Sequence, residues 1–81
     1  MPTIFRYGGY RFFFYSNEGL PQGPVHVHVR SGGYETKIWL EPEIAVAESF
    51  GYDAKALKSI VRIVMERREE IERAWREHFG D

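Results

Sequence analysis

His26, His28 and Arg30 stand two apart in the run Val25-His26-Val27-His28-Val29-Arg30. On a β-strand, residues two apart point to the same side. Both imidazoles and the guanidinium therefore share one face, roughly 6 to 7 Å from one to the next, and the three valines share the other. Imidazole exchanges protons near neutral pH, and arginine holds phosphate oxygens with directed N–H donors. One histidine as base, the other as acid and Arg30 on the phosphate would make a ribonuclease-like site. The plainer alternative carries more weight, because a half-exposed strand needs polar residues at alternate positions and histidine and arginine serve. A metal is the weakest reading. Two histidines are half of a tetrahedral shell, there is no cysteine or HExxH, and carboxylates such as Glu35 would have to complete the set. No metal or cofactor is expected.

The elements around this strand read as a scaffold for it. Residues 2–7 and 10–15 are β-branched and aromatic runs separated by Gly8-Gly9, the signature of a hairpin. In the second run Phe12 and Phe14 share one face, and Arg11, Phe13 and Tyr15 the other. Residues 16–24 are loop-formers, and Pro24 puts the start of the third strand at Val25. Ser31-Gly32-Gly33 turns the chain into Tyr34–Leu40. If Val25, Val27 and Val29 meet Leu40, Ile38 and Thr36 across this second hairpin, then His26, His28 and Arg30 share a face with Glu35, Lys37 and Trp39. Beyond the sheet, Glu41-Pro42-Glu43 reads as a helix entrance, with Ile44, Ala47 and Phe50 as its stripe and Gly51 as its stop: a two-turn helix. Asp53 caps a long helix from Ala54 to about Phe79, whose apolar stripe faces the sheet.

The expected fold is therefore α+β: an antiparallel sheet of three to four strands made by two β-hairpins, then a short helix and a long C-terminal helix packed on one face. Eighty-one residues make a single domain, 1–81, with a modest core. Without cysteine, the six Phe, five Tyr and two Trp must hold it together.

Eleven Lys and Arg against 12 Asp and Glu give a net charge of −1, which excludes strong bulk attraction to polyanions. The distribution is less even. Residues 1–40 hold four bases (Arg6, Arg11, Arg30, Lys37) and two acids (Glu18, Glu35), whereas residues 41–53 hold four acids and no base. Arg6, Arg11, Tyr15, Lys37 and Trp39 around the histidine strand interleave cations and flat rings, as a single-stranded RNA platform needs. No phosphate loop, serine or cysteine nucleophile motif, membrane span or signal segment is present, and a cytoplasmic protein is expected.

Several segments together resemble a bacterial family, the domain of unknown function DUF4160: Met1–Arg6, Gly9–Asn17, His26–Arg30, Lys37–Leu40 and Trp75–Phe79. Its characteristic positions fall here on Arg6, Tyr10, Arg11, Phe14, Ser16, Asn17, His26, His28, Arg30, Lys37 and Trp39. In one place the chain departs from the pattern: the loop entering His26 is longer, and Val25 separates its prolines from the histidine. The resemblance implies a small protein encoded beside another small protein, in a toxin–antitoxin-like module. The leading expectation is a module component whose His/Arg-lined sheet face acts on or binds RNA, with His26, His28 and Arg30 as catalytic candidates and Arg6, Arg11, Tyr15, Lys37 and Trp39 as binding candidates. The alternative is a non-enzymatic interaction protein, a homodimer or the partner of that neighbour.

Overall fold

Gly8 and Gly9 have φ of 58° and 87°, the left-handed pair that a two-residue hairpin requires, and they join β1 (Thr3–Tyr7) to β2 (Tyr10–Phe13). The computed structural model describes residues 3–16 and 23–80. The loop whose length departs from the family pattern lies largely outside the described residues. Chain order continues with β3 (His26–Ser31), β4 (Tyr34–Trp39), β5 (Ala45–Phe50), α1 (Ala54–Glu66) and α2 (Arg68–Phe79). The five strands form one antiparallel sheet in the order β1-β2-β3-β4-β5.

The register of the central hairpin is the one the alternation predicts. His26 faces Trp39, Val27 faces Ile38, His28 faces Lys37, Val29 faces Thr36 and Arg30 faces Glu35, while the Leu40 amide donates to the Val25 carbonyl at 2.8 Å. Phe12, Phe14, Val27, Val29, Ile38 and Leu40 form the sheet side of the core, covered by Ile60, Ile63 and Val64 of α1 and Ile71 and Trp75 of α2. Both helices contribute to a single core, and the opposite face of the sheet carries the polar set.

Two expectations are corrected. Residues 42–50 do not form a short helix: Ala45–Phe50 is a fifth strand on the edge of β4. In so short a window, Ile44, Ala47 and Phe50 fit the helical step, while Ile44 and Val46 fit the strand step. The unpaired backbone of β4 decides between them. The pairing slips by one residue between Lys37 and Ile38, so Glu48 lies opposite Lys37 and Val46 opposite Ile38, and each stays on its proper face. The long helix is also interrupted. Asp53 caps α1 by accepting from the Ala56 amide at 2.8 Å, but Arg67 (φ −111°, ψ 23°) separates α1 from α2. Glu66 to Glu70 is an unbroken charged run with no apolar side chain to hold it on the sheet. The Arg67 guanidinium instead lies over the Phe5 and Tyr7 rings, at 4.4 and 5.3 Å. Arg68 then donates to the Leu40 carbonyl and Glu72, fastening the start of α2 to the end of β4.

Gly51 is not a helix stop. It ends β5 with φ of 97°, and the Tyr34 ring occupies the place where a Cβ would stand. Gly51→Ala is expected to cost about 2 kcal/mol, from the left-handed backbone and displacement of Tyr34. Gly33→Ala, which meets open space at an ordinary φ, should cost less than about 0.5 kcal/mol. Urea unfolding of the two variants measures the contrast.

Candidate functional site

The sheet register sets the polar face out in rows. Arg6 pairs with Arg11, Arg11 with Arg30, Arg30 with Glu35 and Glu35 with Phe50, so five strands contribute one residue each to a single line. The next row is Phe13, His28, Lys37 and Glu48, and the one beyond it His26, Trp39 and Ala45. Directly opposed side chains are roughly 4.5 to 5.5 Å apart at Cβ. All the predicted site residues on the described strands, Arg6 included, therefore point to one side of the sheet.

Glu35 sits at its centre. Its carboxylate accepts the Tyr15 hydroxyl at 2.8 Å and pairs with Arg30 at 3.0 Å, and its Oε2 lies 3.6 Å from His28 Nδ1. Tyr15 thereby reaches across from the end of β2, closing over His28 with ring centroids 4.6 Å apart. Phe13 packs against both, tilted to His28 with centroids 5.7 Å apart and edge to face with Tyr15 at 5.1 Å. A hydrogen bond to a charged acceptor contributes about 1.5 to 3 kcal/mol, whereas a half-exposed ion pair such as Arg30–Glu35 adds no more than about 1 kcal/mol.

The histidines lie beneath this surface rather than on it. His26 is 6% exposed and His28 9%. His26 is enclosed by Trp39 at 5.4 Å, Trp75 at 5.1 Å and His28 at 5.3 Å. Its Nδ1 is 3.0 Å from the Pro24 carbonyl. A carbonyl only accepts, so Nδ1 carries the proton and a neutral His26 has its lone pair on Nε2. The two rings meet edge to face, and both are shielded from solvent.

The cations occupy the outer layer. The Arg11 guanidinium lies over Phe13 at 4.6 Å and donates to Thr3 at 2.8 Å; Lys37 Nζ lies over Trp39 at 4.4 Å. Arg6 has no carboxylate partner among the described residues. Arg30, Glu35, Lys37, Glu48 and Phe50 border an open depression of about 370 Å³, with His28 at its floor. Among the described residues no group of three or more His, Cys, Asp or Glu is placed to hold a metal.

Three members of the face were not singled out from the sequence as binding or catalytic residues. Glu35 lies on the side the alternation predicts, and its role depends on Tyr15 arriving from 20 residues away. Phe50 and Glu48 fall in the stretch whose pattern predicts a short helix. Phe50 is 72% exposed, a bare ring at the end of the arginine row.

Fold and site together define a small α+β protein with one helix-covered and one open, cation-rich sheet face. The chain belongs to the domain of unknown function family DUF4160, whose model matches residues 9–76. Among curated proteins and among solved structures, nothing matches it. None of the described helices is long and apolar enough to cross a membrane.

Proposed function

We propose that this protein is the RNA-contacting member of a two-protein, toxin–antitoxin-like module, and that it binds single-stranded RNA across the open face of its sheet. The observation that carries the reading is the row Arg6, Arg11, Arg30, in which three cations on adjacent strands meet one carboxylate, Glu35. Like charges opposed across strands destabilise the free sheet, and a polyanion laid along the row relieves that repulsion. The open face holds four cations (Arg6, Arg11, Arg30, Lys37) and two acids (Glu35, Glu48), a balance of +2 in a chain whose total is −1. Phe50 and Trp39 offer rings for bases beside it. The burial of His26 and His28 favours binding over cleavage, because proton transfer to a ribose or phosphate requires direct reach. The module is what the resemblance to this family implies; its second member would be the product of the adjacent gene and would co-purify.

Fluorescence anisotropy with a labelled RNA of about 10 nucleotides, between about 50 and 200 mM salt, tests the reading. Wild type should show a log–log salt slope of about −2 to −3. Arg11→Ala and Lys37→Ala should each make it shallower by about 0.7. A flat wild-type titration at the lowest salt would sink the proposal. RNA fragments on a denaturing gel that disappear with His28→Ala would replace it by the ribonuclease reading.

A further inference from the structure

The two edges of the sheet are protected unequally. On the helix side of β1, Arg67 lies across Phe5 and Tyr7. Among the described residues β5 has no such cover: five of its six residues are exposed, Val46 to 41%. Directly beside it, an open groove of about 500 Å³ runs along α1, with Val46, Leu57, Val61 and Met65 as its apolar wall and Lys58 and Arg62 as its charged members. Among the described residues no carboxylate lines it. An edge strand free of proline and lysine is an available template for pairing, and exposed apolar surface next to it adds to that availability.

We infer that β5 and this groove receive an extended segment of a partner polypeptide, added as a sixth strand, whose helix-side residues are apolar with acids next in line. Two features select this occupant. An extended segment satisfies the β5 backbone and covers Leu57, Val61 and Met65 in one step, whereas a docked helix would cover only the groove. Lys58 and Arg62, one helical turn apart on the groove's rim, call for negative charge. A second copy pairing through its own β5 about a two-fold axis would bring Lys58 and Arg62 of both copies together, and like charges there oppose closure. The site lies on the helix side of the sheet and does not depend on the RNA reading.

The probe is a synthetic peptide with threonine at alternate positions and valine and glutamate taking turns between them, titrated into the full isotope-labelled chain and followed by amide NMR. Shifts should concentrate on residues 45–50 and along α1, and the amides of β5 should become protected from hydrogen exchange. The Lys58→Glu, Arg62→Glu double variant, with both changes on exposed positions, should keep the wild-type spectrum and bind about tenfold more weakly. It should also prefer the same peptide with lysine in place of glutamate. A central proline in the peptide should abolish binding. No response to the peptide would overturn the inference, as would indifference to charge reversal. So would light scattering that finds a dimer with β5 amides already protected before peptide is added, since the second copy would then be the occupant.

Discussion

Replacing Trp75 with alanine is expected to remove about 3 to 5 kcal/mol of stability, the range for deleting a fully packed aromatic side chain. A domain of this length holds roughly 4 to 12 kcal/mol in all, so the variant should be near its unfolding threshold at room temperature. Trp75 is 2% exposed, and its ring meets Phe14 at 5.3 Å, His26 at 5.1 Å and Phe79 at 4.4 Å. Phe14 belongs to the helix-covered side of the sheet and His26 to the open side, so one indole joins both. Its loss should detach α2 and uncover His26 together. Thermal melting by circular dichroism should show a midpoint at least about 12 °C lower, at about 4 °C per kcal/mol. Arg76→Ala, an exposed neighbour on the same helix, should stay within about 0.5 kcal/mol of wild type. A Trp75→Ala melt within a few degrees of wild type would contradict the packing described.

The second large effect should appear at Glu35, with opposite signs in stability and binding. Glu35→Gln keeps an oxygen to accept the Tyr15 hydroxyl but removes the charge that meets Arg30 and faces His28. The expected stability loss is about 1 to 2 kcal/mol, mostly from weakening the charge-assisted Tyr15 bond. The open face then rises from +2 to +3 and Arg30 is released to a phosphate. RNA affinity at low salt should increase about threefold, and the salt slope should steepen by about 0.7. Glu35→Leu should lose more stability, because Tyr15 loses this acceptor altogether. Urea unfolding and the anisotropy titration, run on the same variants, separate the two readouts. Weaker binding by Glu35→Gln would mean that the face is held for something other than a polyanion.

The central hairpin was legible from the chain because its alternation is local and complete: six residues of β3 decide which side is core, and β4 repeats the decision. That alone brought His28, Arg30, Lys37 and Trp39 to one face, and the aromatic run added Arg11 and Tyr15. What could not be read depends on distant neighbours. Ile44 to Phe50 suits helix or strand equally, and only the open edge of β4 chooses. The stretch from Glu66 to Glu70 has good intrinsic helix formers. The interruption at Arg67 is instead set by the two packing demands on either side of it, Ile60 and Val64 on the sheet and Trp75 on Phe14 and His26. In the sequence Glu35 is one polar residue of an alternating strand among several, and only the fold brings Tyr15 to it.

The plain meander of the sheet also bears on how the chain finds this structure. Every strand pairs with its neighbour in sequence, so no pairing waits for a distant segment to return. The β3–β4 hairpin closes through two residues and carries the longest uninterrupted register, which makes it a natural nucleus. The apolar surface that α1 and α2 cover comes from β2, β3, β4 and the residues that flank them. The same neighbouring strands thus lay out both the polar rows on one face and the core on the other.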